Sequence, residues 1–344
     1  MALFPIPLQR YTIIVIVAIF YLIFPLLADE YYLNLANLIG IACIGAIGLN
    51  ILTGYTGQIS LGHAGFMMVG AYTAAILNTR YGVGFIFCLP AAGIMAALVG
   101  SFFGIPSLRL KGLYVAISTL AAQFIIEWTI NHWKWISGGN FASIYVNRPD
   151  IFGWLPVTEN TEAIIRYKYY IIFVILGLGV VFALNLVRSP VGRAFVAIRD
   201  HDVAAEIIGI NIFRYKITSF AVSSFYAGVA GAVYCFYYEV ANFESYSLLV
   251  SIDYLAMVII GGLGSILGAI LGAIFIQFLP IVLDISITWV GVALLDEVPK
   301  TLLSNARTIS FGLLIIIFLV MEPEGLNKLW KNIKDYFRLW PFSY

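Results

Sequence analysis

The residues best suited to handling a solute lie in GYTGQISLGHAGFMMVGAYTAA, Gly54 to Ala75, where Gly54, Tyr55, Thr56, Gln58, Ser60 and His63 open an apolar run beside further glycines. Their chemistry is recognition rather than bond-making. Polar side chains at membrane depth tend to face cavities. A helix that starts there also aims backbone N–H groups inward, which suits a carboxylate or another polar group. Close helix packing accounts for the same residues equally well, with glycines admitting a neighbour and hydroxyls bonding to its backbone.

A second cluster is RSPVGRAFVAIRDHDVAAEIIGINIFRYK, residues 188–216. The pattern predicts two short helices. Ser189 caps the first, with Pro190 at the first helical position, where its missing N–H costs nothing. Val191, Phe195 and Ile198 form one apolar face. Asp200 or Asp202 caps the second helix, and Gly209 suits its left-handed C-terminal position. Ala204 and Ala205 lie between, small enough for another surface to approach. A solvated connection needs less organisation than this, so the segment reads as a docking element for a partner on the cytoplasmic side.

Catalytic and metal-binding patterns are missing from the chain. It contains no G-x-x-x-x-G-K-[ST] phosphate loop, H-E-x-x-H, paired cysteines or nucleophile elbow. No catalytic residue and no metal ligand is assigned. His63, His132 and His201 have no ligand spacing, and the chain is not expected to bind ATP or any other cofactor itself. Cys43, Cys88 and Cys235 each sit in an apolar stretch and read as small buried hydrophobes.

These clusters must be positioned by membrane helices. The chain is 62% apolar and 11% charged, against about a quarter charged in soluble domains. Its net charge of +1 gives no reason to expect nucleic acid as a partner. Apolar runs long enough to cross a bilayer are expected at 11–28, 33–53, 59–78, 84–106, 112–131, 168–187, 215–238, 248–262, 264–283 and 308–321. The predicted fold is therefore all-α, a polytopic membrane protein of about ten transmembrane helices forming a single domain over residues 1–344. The first run reads as a retained span because it is long for a signal core and lacks a small-x-small cleavage pattern.

Placing both termini in the cytoplasm puts Arg10, Arg109, Lys111, Arg188, Arg193, Arg199, Arg214, Lys216, Lys328, Lys331, Lys334 and Arg338 inside, 12 of 19 basic residues. Segment 132–167, rich in Trp and Tyr, then faces outward, and Gly138, Gly139 and Asn140 there either contact solute or form a simple turn. Ala92, Ala96, Gly100 and Gly104, and likewise Gly264, Gly268 and Gly272, line single helical faces and predict close packing within the chain or against a second subunit.

GYTGQISLGHAGFMMVGAY, KGLYVAISTLA, the segment from Arg188 to Asn211, SIDYLAMVIIGGLGSILGAILGA and EPEGL together resemble the permease subunits of bacterial ABC importers for branched-chain amino acids. They resemble the larger of the paired permeases, in a family that also takes in urea and short-amide importers. The resemblance covers roughly residues 45–130, 188–278 and 310–326. It implies residence in the bacterial cytoplasmic (inner) membrane beside a second homologous permease. Two cytoplasmic ATP-binding subunits would consume the ATP, and a periplasmic or lipid-anchored solute-binding protein would deliver the solute.

The resemblance also places ATPase coupling on Arg193, Ala197, Arg199, Asp200, Ala204, Ala205 and Gly209. Thr119, in KGLYVAISTLA, joins Gly54, Tyr55, Gln58, Ser60, His63, Gly138, Gly139 and Asn140 as candidate pathway residues. Val203 stands where relatives carry Glu or another residue, and the outer loop lacks their T-G-G pattern. An ion-coupled secondary transporter or channel is the alternative from another class. It would call for embedded acids, and only Glu127 and Asp253 lie within the expected spans, each near an end. A purely structural membrane subunit is a third reading, opposed by the polar glycine-rich segment.

Overall fold

The computed structural model describes residues 21–107, 112–137, 143–148 and 161–295, with isolated positions 309, 312–313, 316 and 325–328. Most of the expected spans 11–28 and 308–321 lie outside these residues. So do Arg109, Lys111, Gly138, Gly139 and Asn140.

Helix α1, Glu30–Asn50, continues into a π-helical turn at Ile51–Tyr55. There follow α2 (His63–Tyr81), α3 (Phe85–Ser107), α4 (Leu113–His132) and the short α5 (Lys134–Ser137). Next come α6 (Thr161–Arg188), α7 (Pro190–Asp200), α8 (Asp202–Ile207) and α9 (Ile212–Tyr238). Helices α10 (Leu248–Gly261) and α11 (Ile266–Leu295) come next. Among the described residues the only sheet is one antiparallel pair, β1 (Ser143–Tyr145) with β2 (Val240–Asn242), in which Ile144 faces Ala241.

Among the described residues, six helical stretches are long and apolar enough to cross a membrane: Glu30–Tyr55, Phe85–Pro106, Thr161–Arg188, Ile212–Tyr238, Phe243–Gly261 and Ile266–Ser286. The chain is thus an all-α, polytopic membrane protein.

Three element boundaries differ from expectation. The run expected at 59–78 becomes helical only at His63, because the residues before it are spent on a break that turns at Gly57, φ +71°. The run expected at 168–187 begins earlier, at Thr161, so the segment 132–167 ends in helix. The run expected at 264–283 continues to Leu295 through Pro280. Proline is tolerated inside membrane helices where neighbours re-satisfy the freed carbonyl.

Helix α9 is the central element, packed on α1, α2 and α3. Small residues make that contact possible. A Cβ at Gly228 of α9 would lie 2.7 Å from the Ala92 carbonyl and against the Ala96 methyl of α3. Farther along, Gly100 abuts Ser224 and Gly104 abuts Phe220. The stripe Ala92, Ala96, Gly100 and Gly104 is therefore an internal seam. In a bilayer, where lipid tails are as apolar as leucine, such close backbone approach is what drives helices together. Gly268 and Gly272 seat α11 on Gly261 and Met257 of α10 by the same means. Cys43, Cys88 and Cys235 are free and buried in this packing.

The connections collect at two ends. At one, Arg199 reaches Gly54 and Gly264, and Gly325 lies against Gly262. At the other, the Asn147 N–H donates to Asn78, Arg80 sits over Trp135, and β1 pairs with β2. There Lys168 Nζ bonds Glu239 Oε1 at 2.8 Å and the Tyr237 carbonyl at 2.9 Å. Glu239, which closes α9, is the one non-glycine residue at positive φ among those described.

Candidate functional site

The six described pathway candidates, Gly54, Tyr55, Gln58, Ser60, His63 and Thr119, are brought together at the break between α1 and α2, and all are buried. Thr56 Oγ1 donates to the Leu52 carbonyl at 2.5 Å, and Thr53 Oγ1 to the Gln58 carbonyl at 3.2 Å. The Gln58 amide donates to Thr56 Oγ1 at 3.1 Å and to Ser219 Oγ of α9 at 3.0 Å. Local hydroxyls thus satisfy the groups that the helix leaves behind when it stops, as an apolar surrounding demands.

The sequence allows two readings of the start of α2, free N–H groups aimed at a solute or close packing against neighbouring helices. In the structure these donors are taken by neighbouring elements. Leu61 N–H donates to Thr119 Oγ1 of α4 at 2.9 Å, and Ala64 N–H to Ser251 Oγ of α10 at 2.9 Å. Gly65 N–H donates to Gln123 Oε1, whose amide nitrogen in turn donates to the Tyr246 carbonyl at 2.8 Å. His63 packs its ring 5.1 Å from that of Tyr254, and its Nε2 is buried without a partner. The break is a closed junction of α2, α4, α9 and α10, with one orphaned ring nitrogen.

A second break faces the first. Between α10 and α11 the chain turns at Gly262 and Gly264, φ +113° and +75°, in the left-handed half of backbone space that glycine enters freely. Asn50 of α1 binds both sides of this turn. Its Nδ2 donates to the Ser265 carbonyl at 2.7 Å, and its Oδ1 accepts from Gly264 N–H at 3.0 Å. Gly54 lies so close that a Cβ there would strike Asn50 Oδ1 and Gly264 N.

The two helices expected in segment 188–216 both form, and its last residues already belong to α9. Ser189 caps α7, accepting from Val191 N–H at 3.2 Å and Gly192 N–H at 3.4 Å, with Pro190 at the first helical position. Phe195 and Ile198 are buried. The cap of α8 falls on His201 rather than on Asp200 or Asp202, because Asp202 is already the first helical residue and its carboxylate accepts from Val203 N–H. Gly209 takes φ +90°, as expected of the residue that closes the turn.

The paired alanines part company: Ala205 is 2% exposed and Ala204 is exposed. Around Ala204 lie Val203, Ile207 and Ile208, 60%, 80% and 73% exposed, with Phe213 close by in sequence at 57%. From the neighbouring helix Arg199 leans the other way. Its Nη1 donates to the Gly54 carbonyl at 2.9 Å while Nε and Nη2 hold Asp200 Oδ1 at 3.0 Å. Arg193 instead bonds the Arg188 carbonyl at 3.2 Å.

A model of the family "Branched-chain amino acid transport system / permease component" matches residues 31–319, a range that contains both breaks and the helix pair. The chain belongs to this permease family. It is 35% identical over 272 residues to the high-affinity branched-chain amino acid transport system permease protein LivM of Escherichia coli, covering 73% of this chain and 63% of that one. It is 33% identical to the protein of that name in Salmonella typhimurium, with the same coverage. The matched region thus spans less than two thirds of these two relatives. A probable branched-chain amino acid transport permease, LivM, of Methanocaldococcus jannaschii is 25% identical over 322 residues, 83% of this chain and 90% of that one. No solved structure matches.

Sequence reading missed several residues that complete the junction of this permease-family chain: Asn50, Gln123, Ser219 and Ser251. Each is a fully buried polar side chain inside an apolar helix. That rarity in a membrane segment is the signal that could have found them.

Proposed function

We propose that this chain is one permease of an ATP-driven, binding-protein-dependent importer for branched-chain amino acids in the bacterial cytoplasmic membrane. It crosses the membrane about ten times with both termini in the cytoplasm. A second homologous permease forms the other half of the path, and a periplasmic or lipid-anchored protein delivers leucine, isoleucine or valine. The ATP is hydrolysed by two cytoplasmic subunits that engage the α7–α8 pair. Family membership and the names of the LivM relatives support this reading.

The observation that carries it is the two-sided character of α7–α8. One side shows water the uncovered set Val203, Ala204, Ile207 and Ile208, an apolar patch of the kind that marks an interaction site. The other side reaches Gly54, beside the two breaks, through Arg199. A partner seated on the patch can therefore displace the break. Alternating access follows as a shift of the Gly54 and Gly264 turns against one another, with Gly54, Tyr55, Gln58, Ser60, His63 and Thr119 as the groups that the movement uncovers to solute.

The test is uptake by the complete assembly in vesicles offered leucine and urea together. ATP-dependent leucine accumulation that requires this chain is the expected result. Uptake of urea alone, or leucine uptake without ATP-binding subunits, overturns the reading.

A further inference from the structure

A cavity of about 160 Å3 lies within the helices, between α1, α2, α9, α10 and α11. It has room for about five waters at roughly 30 Å3 each, more than a single structural water needs. Its walls are of two kinds. Ile41, Met67 and Met257 give an apolar side, while Asp253, Gln277 and Ser245 give a polar one. None of these residues was singled out as a pathway candidate by sequence reading.

Asp253 is the unusual member. It falls ten residues into the candidate span Phe243–Gly261, nearer the middle than the expected span 248–262 would put it. Acidic side chains at such depth are rare, and they pair with cations or mark solute pathways. Among the described residues Asp253 makes no ion pair and no hydrogen bond, and Gln277 makes no hydrogen bond. The other described acids with resolved partners, such as Glu239 and Asp200, sit at the ends of the helices. A half-buried carboxylate facing a space with no cation leaves one recognition element unmatched.

We infer that this cavity is a solute subsite in which the Asp253 carboxylate receives the α-ammonium group of an amino acid. The methionine-lined wall takes an aliphatic side chain, since flexible thioethers pack against branched alkyl groups of differing shape. The Gln277 amide is the donor available to the solute carboxylate, since the Ser245 hydroxyl is paired with Tyr234. The inference rests on the amino-acid import reading and deepens it. A neutral solute such as urea would have no use for an unpaired carboxylate here.

The experiment uses the purified complex of both permeases with the ATP-binding subunits, without the delivering protein, and measures equilibrium binding of three probes. Leucine carries both charged groups, 3-methylbutylamine keeps only the amine, and 4-methylpentanoate keeps only the carboxylate. The intact complex is expected to bind leucine and the amine at least about tenfold more tightly than the acid, a difference of about 1.4 kcal/mol. Asp253→Asn removes that preference, and Asp253→Glu restores part of it.

Because the preference is read first on the unmutated complex, a variant that fails to fold does not hide the result. Equal binding of the amine and the acid, or leucine binding unchanged in folded Asp253→Asn, overturns the subsite while leaving amino-acid import standing. Leucine that neither binds nor enters vesicles, with urea transported instead, overturns import and subsite together.

Discussion

Arg199 Nη1 donates to the carbonyl oxygen of Gly54 across 2.9 Å, joining residues 145 positions apart in sequence. The bond links an exposed helix pair to the point where α1 ends. Hydrogen bonds that involve a charged group contribute about 1.5–3 kcal/mol. Arg199→Ala is expected to reduce ATP-driven uptake about tenfold or more while the ATP-binding subunits still co-purify. Arg199→Lys keeps a charge but not the fork that holds Gly54 and Asp200 together, so it should recover only part of the rate. Uptake in Arg199→Ala equal to the parent, measured at matched protein levels, removes the linkage.

The paired alanines should respond differently. Ala204→Arg places charge in the exposed apolar patch and is expected to abolish association with the ATP-binding subunits, with membrane insertion intact. Ala205→Arg buries that charge inside the chain and should lower the yield of folded protein instead. Co-purification scored beside monodispersity in detergent separates the two effects, and solute-stimulated ATP hydrolysis retained in Ala204→Arg contradicts the docking surface.

Gly54 tolerates no side chain. A methyl group there meets Asn50 Oδ1 and the backbone of Gly264, neither of which can withdraw without breaking the Asn50 bridge. Gly54→Ala is expected to destabilise the protein by about 1–3 kcal/mol, as overpacking does elsewhere. Thermal unfolding in detergent measures it, and an unchanged midpoint shows that the two turns are not in contact.

Asn50→Leu tests the bridge from the other side. It leaves the Gly264 N–H and the Ser265 carbonyl without their side-chain partner, at about 1–3 kcal/mol for an unsatisfied buried group. Faster hydrogen exchange at residues 262–266 is the specific sign, and exchange as slow as in the parent counts against it.

At the far end, Lys168→Met removes a cation that is 8% exposed and bonded to both Glu239 and the Tyr237 carbonyl. It is expected to loosen the β1–β2 pair, seen as proteolytic cleavage near residues 143–148 at protease levels that spare the parent. Glu239→Gln should act in the same direction and more weakly, because an amide oxygen still accepts. Equal resistance in all three proteins denies the tie a structural role.

Much of the architecture was legible because hydropathy and small-residue spacing report directly on membrane burial. The cap at Ser189, the positive φ of Gly209 and the seam from Ala92 to Gly104 were all readable from local pattern. What could not be read was tertiary. Nothing local says that Leu61 donates to Thr119, that Asn50 spans the Gly264 turn, or that Ala205 faces inward while Ala204 faces out. Helix α10 begins at Leu248, as the pattern expects; the 3-10 turn Phe243–Tyr246 ahead of it, set off by the extended Ser247, lengthens the candidate span and sets Asp253 deeper in it.

The donor of Ala64 finds its acceptor 187 residues later, on Ser251. At roughly 5–20 residues synthesised per second, some 10–40 s separate the two on the ribosome. Throughout that interval the start of α2 has a backbone group with no permanent match, which the bilayer core does not supply. The start of α2 therefore gains its native acceptor only when α10 has been made. A chain interrupted before Ser251 keeps the Thr119 and Gln123 partners of this junction and lacks the one that α10 supplies.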